Sequence, residues 1–274
     1  DSFVQGYDYV GGVVGYASYA TITNAYNTGL ISGTGDYVGG VVGYASYATI
    51  TNAYNTGLIS GTGDYVGGVV GYASYATISN AYNTGSVSGR SSNVGGVVGN
   101  MDGATVSNVY NTGIVSGSSW IGGVVGYMDG TTISNAYNTG SVSGTGDYVG
   151  GVVGRASSSA TISDCGVECA VITGTSNVGI FVGQNASSSA TIENCYAIVD
   201  GDLSPYGSNS GTFTNCLWIA GGVKYYLGTD FSGFAWFNTD SCPIPKGLSW
   251  MGQFWTEDIT SQITSSSDWT EWVA

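Results

Sequence analysis

The block DYVGGVVGYASYATITNAYNTGLISGTG, 28 residues from Asp8 to Gly35, recurs unchanged as Asp36 to Gly63, and a close third copy begins at Asp64. A fixed period constrains the fold more than any local motif, because equivalent positions in successive units must occupy equivalent places. The first glycine of each GGVVG sets the register at Gly11, Gly39, Gly67, Gly95, Gly122 and Gly150, and Gly179 opens a degenerate GIFVG. The steps are 28, 28, 28, 27, 28 and 29 residues. Each unit holds three short β-prone stretches, ATITNAY, GLIS and YVGGVVG, separated by Gly, Asn, Ser and Asp that supply corners and positive φ. The pattern predicts an all-β chain: a three-faced parallel β-solenoid, or β-helix, of 28-residue coils. At ~4.8 Å per coil, seven coils make a rod of ~34 Å, of either hand.

Reading down the repeats separates inside from outside. One apolar row runs Ile22, Ile50, Ile78, Val106, Ile133, Ile162, Ile192 and ends near Phe213. A second is Ile31, Ile59, Val87, Val115, Val142 and Ile172; a third is Val41, Val69, Val97, Val124, Val152 and Phe181, beside the small Ala25, Ala53, Ala81, Val109 and Ala136. Volume varies along each row while apolarity is kept, as a packed core allows. A single coil buries too little to offset its ordering entropy, so stability resides in contacts between neighbouring coils, and the terminal coils are the weakest.

Composition removes several functions. Four basic residues against 18 acidic ones give a formal net charge of −14, which repels a phosphate backbone and argues against nucleic acid as a partner. Histidine is absent, and with it the usual general base and zinc ligand. No apolar run approaches the ~20 residues that span a bilayer, so no membrane span is expected. The chain opens at Asp1, as a mature secreted chain or an excised fragment would.

The pattern ATIsNaYNTGxVSGxxxxVGGVVG, as in Ala76 to Gly99 and Thr131 to Gly154, resembles the GLUG-motif repeats of bacterial surface proteins, adhesin-like and IgA-protease-type chains among them. The resemblance covers roughly residues 8 to 200. It implies extracellular or cell-surface display and transfers no catalytic residue. We therefore divide the chain into a GLUG-like solenoid, residues 1–200, and a segment 201–274 comprising a degenerate coil, Gly211 to Ile219, and an irregular aromatic stretch. Six of the seven tryptophans fall in that second segment, which suits a cap or a contact between subunits, with an exposed carbohydrate platform as the other reading.

Several rows are candidate sites. Asp8, Asp36, Asp64 and Asp147 form an acidic ladder interrupted by Ser92 and Ser119, too sparse for a calcium array. Beside it lie Tyr9, Tyr37, Tyr65, Trp120 and Tyr148, of which Tyr37, Tyr65, Trp120 and Tyr148 are the candidate glycan contacts. Two asparagine rows, Asn24, Asn52, Asn80, Asn108 and Asn135, then Asn27, Asn55, Asn83, Asn111 and Asn138, read as corner-stabilising amide ladders. Cys165, Cys195 and Cys216 occupy the alanine position of the core; with Cys169 and Cys242 they offer several disulfide pairings, of which Cys195 to Cys216 and Cys165 to Cys169 are two. Asp200 and Asp202 would share a face if their segment were a strand, and Glu168 and Glu193 break the repeat, a thin basis for polysaccharide cleavage.

No cofactor is implied. The expected function is an extracellular structural protein that assembles with itself, head to tail, into a filament; a glycan- or host-binding adhesin is the alternative, and an enzyme the remotest reading. The opening DSFVQGYDYVGG continues the repeat backwards, Gln5 to Val10 matching Gly33 to Val38 in length and alternation. Tyr7, Tyr9, Val10 and Val13 are then the assembly contacts of the first coil, and Trp250, Phe254, Trp255, Trp269 and Trp272 those of the C-terminal segment.

Overall fold

A computed structural model describes residues 3–169 and 171–221 and, beyond them, the backbone of strands Val223–Leu227, Phe234–Phe237, Cys242–Pro245 and Thr270–Glu271; the Cys169 side chain is outside the described set. Among the described residues every regular element is a β-strand. The chain is a parallel β-solenoid of 28-residue coils, about seven turns long.

Each coil contributes to four ladders. The GLIS stretches form a seven-stranded sheet beginning with Phe3–Gly6 and Leu30–Gly33. The segment YVGGVVG, read above as one stretch, is two strands on two sheets: Val38–Gly39 belongs to one and Val42–Ser46 to the next. The fourth ladder carries the TITNAYN segments, seven-residue strands in the central coils (Thr77–Asn83, Thr105–Asn111, Thr132–Asn138). Like residues pair with like through the first three coils, as in Ile59 with Ile31 and Tyr54 with Tyr82, and along the apolar rows beyond them. The 27-residue step leaves the strands untouched, because the missing residue lies in the corner between Gly117 and Ile121.

The glycines do a different job from the one expected. Among the described glycines only Gly103, Gly130, Gly201 and Gly221 have positive φ. The left-handed corners are instead taken by Tyr9, Tyr37 and Tyr65, by Tyr19, Tyr47 and Tyr75, and by the row Asn24 to Asn135, with φ between 48° and 65°. Asparagine tolerates this conformation, but tyrosine does so at a cost that its packing must offset. The glycines of GGVVG serve close approach within and between coils: a Cβ on Gly39 would stand 2.0 Å from the Val42 carbonyl oxygen of its own coil and 2.7 Å from the Gly71 nitrogen of the next, and one on Gly43 2.6 Å from the carbonyl oxygen of Gly15.

The three apolar rows are buried in the inner coils, where Ile50, Ile59 and Val69 are among the core residues. Two further rows join them, Val38 with its equivalents and Val42 with its equivalents, so that every valine of YVGGVVG faces inward. At the first coil the register differs from the expected one: Phe3–Gly6 pairs with Leu30–Gly33 so that Gly6, not Gln5, meets Gly33. The corner between Gly6 and Val10 is one residue shorter than its counterpart, and this places Val4 opposite Ile31, where it packs on the core; a one-residue slip would have turned it outward.

Parallel stacking continues past residue 200. Thr212–Thr214 pairs with Thr191–Glu193, and Cys216–Ala220 with Tyr196–Val199. There it stops on this ladder, because Val223–Leu227 pairs antiparallel with Cys216–Ala220.

Candidate functional site: the aromatic edge

The residues that differ most from an ordinary β surface lie on the edge formed by the Tyr9 corner and the Val14–Ser18 strand. Tyr9, Tyr37 and Tyr65 stack along the axis with centroids 4.9 and 5.1 Å apart and planes within 15°. A second row, Tyr16, Tyr44 and Tyr72, stacks beside it at 5.2 and 5.0 Å. The two rows meet edge to face, Tyr37 against Tyr44 at 5.2 Å and 80°, and Tyr65 against Tyr72 at 5.2 Å and 88°. Each such contact contributes ~0.5–1.5 kcal/mol beyond its buried area, which helps to offset the left-handed backbone at Tyr9, Tyr37 and Tyr65. The second row could have been found from the same 28-residue period; its alternation with inward-facing Ala17, Ala45 and Ala73 is the signal. Burial, and then the neighbouring phenols and carboxylates, raise the hydroxyl pKa values of Tyr37, Tyr65 and Tyr72.

This stacking matters for ligands. A sugar ring packs on the flat face of an aromatic, and inside these rows the faces of Tyr37 and Tyr65 are turned on their neighbours. Solvent meets mainly edges and hydroxyls. The rows work as zippers between coils.

Beyond the third coil the edge changes. Asn93 takes the corner after Tyr65 and Asn100 pairs with Tyr72. Trp120 then holds a corner at φ 57° and stacks on Tyr127 at 5.5 Å. Arg155 pairs with Tyr127 in register, its guanidinium carbon 5.3 Å from the Trp120 ring centroid and 5.7 Å from that of Tyr127. Tyr148, the last of the expected glycan contacts, is a half-buried corner residue at φ 63°.

The polar rows run along the axis as well. Asn27, Asn55, Asn83 and Asn111 each donate from Nδ2 to the Oδ1 of the next asparagine at 2.7–2.8 Å. Asn55 Nδ2 also donates to the Gly57 carbonyl, and the Gly57 N–H donates back to its Oδ1. The outer row stacks with the opposite sense, Asn52 donating to Asn24 at 3.1 Å and Asn108 to Asn80 at 3.2 Å. Asp8 accepts the Asp36 N–H and Asp36 the Asp64 N–H, both at 2.8 Å, so these carboxylates fasten one corner to the next. No group of three or more potential metal ligands occurs among the described residues.

The GLUG motif matches the chain three times in tandem, at residues 6–32, 34–60 and 62–88. The chain carries GLUG repeats. No curated protein and no solved structure matches it. The three matched GLUG repeats contain the uninterrupted tyrosine rows, whereas Trp120 and Arg155 lie outside them.

The remaining candidates fall as follows. In the first GLUG coil Tyr7, Tyr9 and Val13 are exposed, while Val10 is a core residue at 4 % exposure. Trp250, Phe254, Trp255, Trp269 and Trp272 lie outside the described residues, as do the side chains of Cys169 and Cys242. Cys165, Cys195 and Cys216 are buried free thiols continuing the alanine row, and burial pushes the Cys195 and Cys216 thiols well above their ordinary pKa. Asp200 and Asp202 flank Gly201 at φ 87° in a bend, so they are not neighbours on a strand face. Burial raises the Glu168 carboxyl, which accepts a 2.6 Å bond from the Tyr137 hydroxyl; Asp164 is raised by burial, with a smaller contribution from Glu193.

Proposed function

We propose that this GLUG-repeat chain is a non-catalytic, extracellular structural protein that associates with itself coil on coil, as its own coils stack. The observation that carries the reading is what a covering coil does to the apolar row, as Val13 shows. It is 49 % exposed, while Val41, the same position one coil further in, is fully buried. A second parallel coil laid on the first would cover Val13 and the outer rings of Tyr9 and Tyr16, repeating the contact that every inner pair of coils makes. An edge of unpaired parallel backbone beside exposed apolar side chains is a ready template for another chain. If the partner face is the C-terminal aromatic segment, the contact is heterologous and propagates into an open fibre.

Electron microscopy and sedimentation of the purified chain test this reading. Filaments or concentration-dependent oligomers are expected, and Val13→Asp, which places a charge where the monomer is already solvated, should abolish them without changing the β-sheet circular dichroism. Monomers at every concentration would reject self-association.

A further inference from the structure

A different observation, independent of assembly, concerns Arg155. Its neighbours in the row across the strands are Tyr127 on one side and Gln184 on the other, so a cation stands where the GLUG-matched coils carry tyrosine. The guanidinium touches the Trp120 and Tyr127 rings at 5.3 and 5.7 Å. No acceptor among the described residues takes a hydrogen bond from it, and its Nε is buried without a partner. The chain carries 18 acidic residues against four basic ones. Even so, none of the described carboxylates is placed in an ion pair with Arg155. Asn93, which occupies the preceding position in the corner row of Trp120, is 2 % exposed and leaves its Oδ1 unpartnered too. An unpaired guanidinium therefore stands backed by two aromatic rings, with the unpartnered Asn93 amide oxygen buried in the coil before Trp120.

We infer that Trp120, Tyr127 and Arg155 form a binding site for an acidic sugar, held by its carboxylate. The guanidinium fork suits a carboxylate, offering two parallel N–H donors to its two oxygens. Trp120 and Tyr127 stack on each other and are half-buried, so it is the edges of their rings beside the guanidinium that supply what an inorganic anion does not use, an apolar rim for the C–H groups of a pyranose. One cation in a chain of net charge −14 favours a ligand that carries no more than one carboxylate per sugar ring over a polyphosphate, whose closely spaced charges the surrounding carboxylates would repel. The site also differs from the tyrosine rows in kind: around Trp120 the corner row is not a run of identical rings, since Asn93 precedes it and Tyr148 follows.

Calorimetric titration of the whole chain with digalacturonate, with its neutral carboxyl-reduced counterpart and with acetate tests the assignment. Digalacturonate should bind; the neutral disaccharide should bind at least about tenfold more weakly, the loss typical of one charged hydrogen-bonding group, and acetate, which keeps the carboxylate but has no sugar ring, should also bind more weakly. Arg155→Gln should lower digalacturonate affinity by about tenfold or more; Gln184 holds the same position in the next coil, so the fold already accommodates that side chain. Trp120→Phe, which keeps an aromatic corner, should weaken digalacturonate while leaving acetate unchanged. Equal affinity for acetate and digalacturonate, no binding of digalacturonate, or full binding by a folded Arg155→Gln protein would each overturn the assignment.

Discussion

Gly40 and Asn55 face each other across the inside of one coil: a Cβ placed on Gly40 would stand 2.7 Å from the Asn55 amide carbon and 2.1 Å from the Gly68 carbonyl oxygen of the next coil. The second glycine of GG and the asparagine of YNTG are thus two halves of one device. Removing the side chain from one wall admits a hydrogen-bonded amide from the other. The seventh coil supports this: Ala197 stands in the asparagine row and Ile180 in the glycine row, and the following backbone enters through Ser204 and Pro205 instead of a Gly-Gly pair.

Gly68→Ala should therefore destabilise the central coils by about 3 kcal/mol or more, the upper range for overpacking, because the methyl would meet the Gly96 carbonyl oxygen at 2.0 Å as well as Asn83. Thermal unfolding followed by circular dichroism checks it. A midpoint unchanged from the parent would mean that the coils are spaced differently.

Asn83→Ala should be more damaging than Asn27→Ala. The first leaves Asn55 Nδ2 without its axial acceptor and Asn111 Oδ1 without the donor of the Asn83 amide, while the second interrupts only the end of the row. Each stranded buried group costs about 1–3 kcal/mol. Urea unfolding of both variants should give a clearly larger loss for Asn83→Ala, and equal losses would count against a continuous amide ladder.

The repeat made the solenoid, its register and most of its core legible, since periodicity reports which positions are equivalent. It did not report why a residue is needed. Glycine between the stretches reads as a corner residue because glycine usually supplies positive φ, yet Gly33 and Gly35 do not take it and Tyr37 holds the corner at φ 64°; inside GGVVG, Gly39 is required by the distance to Val42. The one-residue offset at Gly6 escaped notice because a shortened corner changes spacing without changing composition. Arg155 escaped for a different reason: its rings come from the preceding coil, more than two dozen residues away, and only the stacking brings them to it.

Burial holds the Glu168 carboxyl above the usual range, with the Tyr137 hydroxyl opposing part of that shift. A carboxyl raised in the folded state favours folding when protonated, so its stabilising contribution is fully present below the ordinary glutamate value and disappears as pH rises through the shifted one. Glu168→Gln keeps an acceptor for Tyr137 and should raise the melting temperature at pH 7 relative to the parent, the difference vanishing near pH 3. A variant less stable than the parent at both values would contradict this assignment of the shift.

The tyrosine rows give the complementary alkaline behaviour. Tyr37, Tyr65, Tyr72, Tyr82 and Tyr110 are raised first by burial. Their contribution to stability is present below the ordinary phenol value near 10 and is lost as pH climbs through the raised values. Absorbance titration should show phenols that ionise only above the ordinary value, together with loss of β-sheet signal as they do. Ionisation of every tyrosine as a single free phenol would contradict the stacked rows.

The most direct measurement of the in-register parallel stack is disulfide trapping between coils. Ser60 and Ser88 are register partners on neighbouring coils, and Ser88 is in turn the partner of Ser116. Neighbouring coils lie ~4.8 Å apart, within disulfide reach, while Ser60 and Ser116 are separated by about 10 Å, beyond it. Oxidation of the Ser60→Cys, Ser88→Cys double variant should form an intrachain disulfide rapidly and completely, with the Ser60→Cys, Ser116→Cys variant forming none between those positions; equal cross-linking of the two pairs, or failure of the first, would contradict the solenoid described above.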